Sequence, residues 1–209
     1  MFLSRIKLNT ARTETMRALA APNVFHGAIE ACDGKRTHKL WRVDTLGGEQ
    51  YLLILSEQQL DLTGAAEQFG YDSSYESKPY DKLLERITDG SRWQFRLKAN
   101  PTVQKYDEKK GRGRVLAHIT AFHQGEWLKE RSEKYGFKLE DGEWLVTGSK
   151  WYIFKKNRSS TNIVRMLSAT FEGVLTVTDA EAFKAALTNG IGREKAYGLG
   201  LITVTRTDR

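Results

Sequence analysis

The segment from Gly190 to Gly200 contains residue types that bind phosphate. Glycines stand at positions 190, 192, 198 and 200, with Arg193 and Lys195 between them. Because glycine allows positive φ angles and close approach of the backbone, such a loop can present its amide groups to phosphate oxygens. The sequence therefore predicts that Gly192, Arg193 and Lys195 contact phosphate groups of a ligand.

Two common nucleotide-binding motifs do not fit this segment. A dinucleotide fingerprint places its glycines between a strand and the following helix, whereas these glycines lie between a predicted helix and the following strand. A Walker A loop continues from its last glycine into Lys and Ser or Thr, but Gly198 is followed by Leu199. The segment therefore does not predict a dinucleotide-binding or P-loop enzyme.

Histidine is the residue type best suited to proton transfer near neutral pH, and the chain has four: His26, His38, His118 and His123. The last two are five residues apart, whereas two ligands on one helical face are three or four apart. No carboxylate cluster or Glu-x-x-His pattern accompanies any histidine. The single cysteine, Cys32, excludes an intramolecular disulfide and a cysteine-based metal cluster. We therefore predict no metal site and no cofactor.

The bulk properties favour an anionic partner. The chain has 209 residues, 40% of them hydrophobic, which is enough for one large domain or two small ones. Its net charge of +7 and pI of about 9.4 favour binding to a polyanion such as nucleic acid. Arg5 and Lys7 interrupt the first apolar run, and Tyr51–Leu55 is too short to span a bilayer. We therefore expect no secretory signal, no membrane association and a cytoplasmic location.

Hydrophobic patterning in the first half predicts strand, helix, strand, strand, the beginning of a βαββαβ ferredoxin-like unit. Residues 57–80 lack a clear period and are interpreted as weak elements and linker. The predicted elements are a strand at Phe2–Leu8, a helix at Thr10–Ile29 with a break at Pro22, and strands at His38–Val43 and Gln50–Leu55.

The second half predicts another unit of the same order. Thr178–Glu181 is typical of a capped helix start, and Lys105–Arg114 is interpreted as a charged loop with little to bury. The predicted elements are a strand at Arg92–Ala99, a helix at Thr120–Lys134, long strands at Trp144–Lys156 and Asn162–Thr178, then helix, glycine loop and strand. We therefore predict an α+β fold of two tandem ferredoxin-like (RRM-like, βαββαβ) domains, over residues 1–85 and 91–209.

Three segments, in this order and spacing, resemble the RAMP group of CRISPR-associated RNA-binding proteins. Met1–Ile6 opens the chain as that group's first strand does, Phe95–Pro101 is similar to the strand that begins its second domain, and the glycine loop follows a βα unit at the chain's end. Together they resemble the CasE family, the repeat-RNA endoribonuclease of type I-E CRISPR systems. The resemblance covers nearly the whole chain and is weakest over residues 56–80.

The resemblance implies a catalytic role for His26. This residue follows Pro22–Phe25 on the first helix, where CasE proteins carry their catalytic histidine. The implied reaction is metal-independent cleavage of RNA, in which a ribose 2′-hydroxyl attacks the adjacent phosphorus and the 5′-oxygen leaves. The products are a 2′,3′-cyclic phosphate and a 5′-hydroxyl. His26 would act as general base toward the 2′-hydroxyl or, alternatively, as general acid.

Two positions near His26 depart from the family pattern. The family can carry a tyrosine where this sequence has Asn23, and Gly27 occupies a position that is basic in some relatives. Asparagine can hydrogen-bond a water or a phosphate but cannot transfer protons at neutral pH. Lys35, Arg36 and His38 in the following loop are alternative sources of positive charge, or belong to a solvated loop.

Basic residues outside the glycine loop define the remaining expected RNA contacts. In relatives a basic hairpin grips the groove of the RNA stem, and the tip of the predicted long hairpin matches it. The missing RRM signature favours recognition of a stem through its shape and phosphates. The predicted contacts are Lys155, Lys156 and Arg158 at the hairpin tip, Lys105, Lys109, Arg112 and Arg114 in the charged loop, and Arg96 and Lys98 on the polar face of their strand.

Two functions follow from the resemblance. The first is an endoribonuclease that cuts CRISPR precursor RNA at the base of the repeat stem-loop and retains the mature crRNA within the Cascade complex. The second is a non-catalytic crRNA-binding subunit. Both predict the repeat stem-loop and other Cascade subunits as partners, and in the sequence only His26 separates them.

Overall fold

The first half of the chain folds into a single four-stranded antiparallel sheet with helices on one face. The computed structural model describes residues 1–33, 37–108, 111–156 and 161–207. The elements of the first half are β1 (Phe2–Lys7), α1 (Thr13–Ala20), α2 (Asn23–Ala31), β2 (Lys39–Leu46), β3 (Glu49–Ser56), α3 (Thr63–Phe69), β4 (Glu76–Pro79) and the short α4 (Asp81–Leu84).

The second half contains a second antiparallel sheet and a separate hairpin. Its elements are β5 (Arg92–Ala99), β6 (Thr102–Asp107), β7 (Arg112–Ala117), α5 (Ala121–Ser132), β8 (Phe137–Lys138), β9 (Trp144–Lys155), β10 (Ile163–Val177), α6 (Ala180–Asn189) and β11 (Ile202–Arg206), with 3₁₀ turns at Glu133–Tyr135 and Lys195–Tyr197.

Both sheets have the strand order of a ferredoxin-like unit. The first runs β2-β3-β1-β4, and in the second β11, β5 and β10 are neighbours while β9 pairs with β10. In each unit the two central strands are therefore the first and third of the βαββαβ order. The predicted fold class is confirmed. The boundaries of the two domains, 1–85 and 91–209, stay a prediction.

Two sequence-based expectations were incomplete. Residues 57–80 contain α3 and β4, which complete the first unit; α3 is only seven residues long but buries Ala65, Ala66 and Phe69. Lys105–Arg114 does not form a loop throughout, because β6 and β7 pair from Thr102↔Ala117 to Asp107↔Arg112. Backbone pairing in such a hairpin needs no apolar face, so charge density was a poor guide to its conformation.

Helix α2 is fixed by its apolar side. It begins just after Pro22, whose ring fixes φ at a helix-compatible value and lacks an N–H that the preceding helix could use. Phe25 is 1% exposed and packs edge-on against Phe69 at 4.8 Å and Trp41 at 5.7 Å between ring centroids. His26 is the next residue on the helix and is half-buried. Because the core contacts of Phe25 fix the rotation of α2, they also determine where the His26 side chain lies.

Strands β2 and β3 are buried on both faces. Trp41 and Ile54 belong to the core beneath α1, α2 and α3. Leu40, Leu53 and Leu55 belong instead to the core that is continuous with the second sheet. The face of the first sheet that its helices leave free therefore packs against the second unit.

A buried ion pair lies in this contact. Arg42 is 0% exposed, and its Nε and Nη2 donate to the carboxylate of Asp44 at 2.8 and 2.5 Å. Its Nη1 also donates to the carbonyls of Arg96 and Leu201, both at 2.7 Å. Nη2 donates to the hydroxyl of Thr203 at 2.7 Å. Because a buried charge is stable only when paired and hydrogen-bonded, these bonds tie β2 to β5 and β11.

The charge of Asp44 is maintained by its partners. Burial alone would raise the pKa of Asp44, but Arg42, Lys98 and Arg96 outweigh it, so the pKa lies below the ordinary value of a carboxyl group. The stabilisation is complete above about pH 4 and is lost as the pH falls from there through the lower pKa of folded Asp44.

No helix within residues 1–33, 37–108, 111–156 and 161–207 has the length and apolar character that spanning a membrane requires.

The Arg42→Met substitution should destabilise the fold far more than removal of the whole pair. It leaves the buried carboxylate of Asp44 short of its main partner, which costs about 3–5 kcal/mol in the free energy of unfolding. The Arg42→Met/Asp44→Leu variant buries no such charge and should recover about half of that loss or more. Urea denaturation at pH 7 measures both. Equal destabilisation of the single and double variants would contradict the argument.

Candidate active site between the two ferredoxin-like units

His26 lies on α2 close to the helix start. Its amide donates to the carbonyl of Pro22 at 3.1 Å, which places the residue in the first turn. The side chain is half-buried and makes no hydrogen bond or ion pair within the part of the chain that the structure describes. A half-buried imidazole without a protein partner is available to a ligand.

The glycine loop connects α6 to β11 and is closed at its base by backbone hydrogen bonds. The amide of Ile191 donates to the carbonyl of Gly200 at 2.8 Å, and the amide of Gly200 donates to the carbonyl of Lys98 at 2.6 Å. Between these points the 3₁₀ turn Lys195–Tyr197 contacts α2 and β2. The structure therefore brings the glycine loop, which belongs to the second unit, to the helix that carries His26.

Two of the loop glycines are required by close packing. A Cβ atom on Gly198, where φ is +78°, would lie 2.6 Å from the six-membered ring of Trp41. A Cβ atom on Gly190, where φ is +73°, would lie 2.9 Å from Leu40. Both residues therefore serve conformation and contact with β2, so the glycine pattern reflects docking of the loop as well as any binding of phosphate.

The loop also supplies two cations. Arg193 is exposed and Lys195 is half-buried. Burial lowers the pKa of Lys195 from its ordinary value, because desolvation disfavours the charged ammonium group. Neither side chain forms an ion pair with any residue that the structure describes. An incoming phosphate would therefore meet two cations that form no ion pair of their own, with the carboxylate of Glu194 between them in the chain.

The long hairpin β9–β10 completes the cluster. Its face packs on the glycine loop through Phe154 and Tyr197, whose ring centroids are 5.1 Å apart. Where β9 ends, the Nδ2 of Asn23 donates to the carbonyls of Lys155 and Lys156 at 3.4 and 3.3 Å. These two exposed lysines thus lie at the start of α2. Arg158, the third predicted contact of this hairpin, lies outside the described residues.

A cleft of about 450 Å³ opens between α1, the start of α2, α3 and the end of β9, and its lining includes neither His26 nor the glycine loop. Two cations, one carboxylate and two amides border it, but most of the lining surface is apolar. Sequence analysis missed Arg17 and Gln68, because nothing in the pattern of α1 or α3 shows that the hairpin comes to meet them. The lining residues are Glu14, Arg17, Ala21, Asn23, Val24, Gln68 and Lys155.

Arg96 and Lys98 lie elsewhere, facing the first sheet. Arg96 forms ion pairs with Glu172 and Asp44, and Lys98 pairs with Asp44 at 3.7 Å and donates to the carbonyl of Val43. They border the contact between the sheets, where a cavity of about 610 Å³ is lined by Arg96 and other charged residues. Both cations already interact with carboxylates of the protein, Arg96 with Glu172 and Asp44 and Lys98 with Asp44. We therefore leave both residues out of the RNA surface proposed below.

The remaining predicted contacts lie on a separate hairpin. Lys105 on β6 stands opposite Arg114 on β7, and Arg112 pairs in register with Asp107. Lys105, Arg112 and Arg114 are exposed and form no ion pair within the described ranges. Lys109 lies outside those ranges, as do Lys35 and Arg36. This two-stranded sheet is a second basic surface, distinct from the cluster around α2.

Comparison with known proteins is consistent with this geometry. A family model described as "CRISPR associated protein" matches residues 1–206. The chain belongs to this family of CRISPR-associated proteins. The CRISPR-associated endoribonuclease Cse3 of Thermus thermophilus is 29% identical, over 98% of this chain and 99% of that protein.

Solved structures agree. The structure of CRISPR endoribonuclease Cse3 bound to 19 nt RNA matches with a TM-score of 0.79 and 27% identity, over 98% of this chain and all (100%) of that one. A chain of a CRISPR RNA-guided surveillance complex matches with a TM-score of 0.71 over 99% of this chain, but at 20% identity it shows the fold alone. The resemblance to the CasE family and the tandem ferredoxin-like fold are thus confirmed.

Gly198→Ala should destabilise the protein by disturbing the contact between the glycine loop and Trp41. The added methyl group meets the Trp41 ring at a backbone conformation that alanine disfavours, which together should lower the free energy of unfolding by roughly 2–4 kcal/mol. Gly148→Ala on β9 is the matched control, because its Cβ atom would have no neighbour within 4 Å. Thermal or urea denaturation compares the two, and similar losses would show that the contact with Trp41 is unimportant.

Proposed function

We propose that the protein is a metal-independent endoribonuclease that cleaves CRISPR precursor RNA at the base of the repeat stem-loop. One observation carries the proposal: the His26 helix, the cationic glycine loop and the basic end of the long hairpin meet at one place. The 29% identical relative is named an endoribonuclease, and the 27% identical structure holds RNA, which supports the same activity here.

The proposed reaction uses RNA as its own nucleophile. The 2′-oxygen loses its proton to His26 and forms a bond with the adjacent phosphorus, while the bond from phosphorus to the 5′-oxygen breaks. The leaving oxygen takes up a proton and becomes a 5′-hydroxyl, and the other product ends in a 2′,3′-cyclic phosphate. His26 is the general base in this scheme, with general acid toward the 5′-oxygen as the alternative role.

Arg193 and Lys195 supply the electrostatic part of the mechanism. Negative charge builds on the non-bridging oxygens as phosphorus becomes five-coordinate, and cations fixed nearby stabilise that charge more than the ground state. Partial burial of Lys195 strengthens such an interaction, since fewer waters screen it. The amide of Gly192, where φ is +86°, is an additional donor in the same loop.

The RNA stem binds mainly through its phosphates. Lys155 and Lys156 contact the strand that leads to the scissile phosphate, because their backbone is tied to the first residue of α2. Lys105, Arg112 and Arg114 on the β6–β7 hairpin form a second contact surface. Binding of this kind weakens steeply with salt, because every neutralised phosphate releases counterions.

Product retention extends the proposal. An enzyme that binds the stem by many phosphate contacts holds the product that contains the stem and ends in the 2′,3′-cyclic phosphate, because the stem remains intact after cleavage. We propose that the protein stays on the mature crRNA and serves as a subunit of Cascade. The family resemblance supports this assembly, and co-purification with crRNA and other Cascade subunits would test it.

A second function, RNA binding without cleavage, is favoured by one observation. The amide of Asn23 donates to the carbonyls of Lys155 and Lys156, so this side chain has a structural task where relatives can carry tyrosine. If catalysis needs a second proton-transferring group at this position, the chain binds repeat RNA but does not cut it.

His26→Ala should abolish cleavage and preserve binding. Loss of a general base should slow single-turnover cleavage of a repeat stem-loop RNA in EDTA by about 10²–10⁴-fold. The dissociation constant should change little, and a 2′-deoxy substitution at the scissile nucleotide should block cleavage by the parent protein. His118→Ala is the matched control. Tight binding without cleavage by the parent would favour the second function, and cleavage by His26→Ala at the parent rate would exclude His26 as the base.

Lys195→Ala and Lys155→Ala should weaken RNA binding without regard to sequence. Each should lower affinity by about 1 kcal/mol and reduce the slope of log K against log salt by about one unit, as expected for one lost phosphate contact. Lys138→Ala is the control, because its ammonium group pairs with Glu140 at 2.8 Å. Fluorescence anisotropy at several salt concentrations gives both quantities. A variant with the control's salt slope would lose its place in the RNA surface.

A further inference from the structure

Three consecutive residues of β2 touch the glycine loop. Leu40 lies against Gly190 and the ring of Trp41 lies against Gly198. Arg42 donates to the carbonyl of Leu201, where the loop enters β11. The loop therefore contacts one strand of the other ferredoxin-like unit at three points, Gly190, Gly198 and Leu201.

Trp41 also touches the helix that carries His26. Its ring packs edge-on against Phe25 at 5.7 Å between centroids, and Phe25 is the residue next to His26. The indole N–H of Trp41 is buried and has no hydrogen-bond partner among the described residues. A buried indole usually finds such a partner, so the contribution of Trp41 here comes from the packing of its rings.

Arg42 fixes the exit of the loop. Besides the carbonyl of Leu201 it binds the hydroxyl of Thr203 at 2.7 Å, and the two acceptors lie one and three residues after the last loop glycine, Gly200. Its charge is satisfied by Asp44, and the side chain is inaccessible to solvent. Arg42 therefore cannot bind an RNA phosphate, and any effect it has on cleavage must pass through the loop.

We propose that Trp41 and Arg42 are positioning residues that set the glycine loop, with Lys195 and Arg193, at the distance from His26 that cleavage requires. The inference rests on the proposed function. The base and the cations belong to different ferredoxin-like units, so no single unit can fix their separation. A misplacement of about 1 Å costs a reaction of this kind up to about 100-fold in rate.

The first experiment separates positioning from folding. The Arg42→Met/Asp44→Leu variant removes the bonds to the loop exit without leaving the carboxylate of Asp44 unpaired, and Lys98 keeps its bond to the carbonyl of Val43. At saturating repeat RNA, its single-turnover cleavage rate should fall by about 10–100-fold, whereas the dissociation constant stays within about threefold of the parent. Glu172→Gln is the matched control, because Glu172 lies in the same contact between the sheets but pairs with Arg96.

Two outcomes of this experiment would contradict a positioning role for Arg42. A saturated rate equal to that of the parent would overturn the role of Arg42, and so would a loss of affinity as large as the loss of rate. If the parent protein itself does not cleave, the proposed function fails, and that result is distinct from a failure of the variant alone.

The second experiment uses the shape of residue 41. The Trp41→Phe variant keeps an aromatic ring against Phe25 but loses the part of the side chain that contacts Gly198, and it should reduce the saturated rate by less than about fivefold. The Trp41→Leu variant loses both ring contacts and should reduce that rate by about 10–100-fold. Circular dichroism confirms folding, and RNA affinity should stay close to that of the parent in both variants. Equal rates for Leu and Trp at this position would overturn the role of Trp41.

Discussion

The buried guanidinium of Arg42 is the constraint on which the arrangement of the two ferredoxin-like units depends. A charge without solvent access must have all its donors satisfied, and here the partners come from β2, β5 and β11. Apolar contacts across the two sheets tolerate small displacements, whereas this set of hydrogen bonds does not. The pair with Asp44 therefore adds little net stability over an apolar contact but selects one relative position of the sheets.

That position explains how the cations of the chain divide into two classes. Arg96 and Lys98 lie beside Asp44 and interact with carboxylates within the protein. Arg193 and Lys195 in the glycine loop and the two lysines beside the start of α2 form no ion pair with any described residue. The net charge of +7 indicates only that an anionic partner is favoured. The positions of the carboxylates indicate which cations are free to bind that partner.

Sequence patterns predicted elements well where a period was strong. The alternation in Arg92–Ala99 gave β5, and the capped helix, glycine loop and strand at the end of the chain were found as expected. Sequence patterns failed to predict elements that are stabilised by backbone pairing or by the burial of a few small residues. The β6–β7 hairpin is stabilised by its ladder rather than by an apolar face, and α3 buries two alanines that carry little signal. The family resemblance directed attention to His26, which spacing alone would not have singled out.

By itself, the sequence determined the order of elements and the fold class, because these depend on local periods and on motifs a few residues long. It also supplied two predictions, His26 as the catalytic candidate through the family resemblance and the glycine loop as a phosphate-binding candidate through its residue types. Only the tertiary structure decided which of those features meet. Trp41, Arg42 and Asn23 join α2, the glycine loop and the long hairpin across more than 130 positions of the chain, through contacts at Gly198, Leu201 and Lys156. A one-dimensional pattern cannot encode such contacts, because the residues involved are ordinary in their own segments and acquire their task only when the sheets pack face to face.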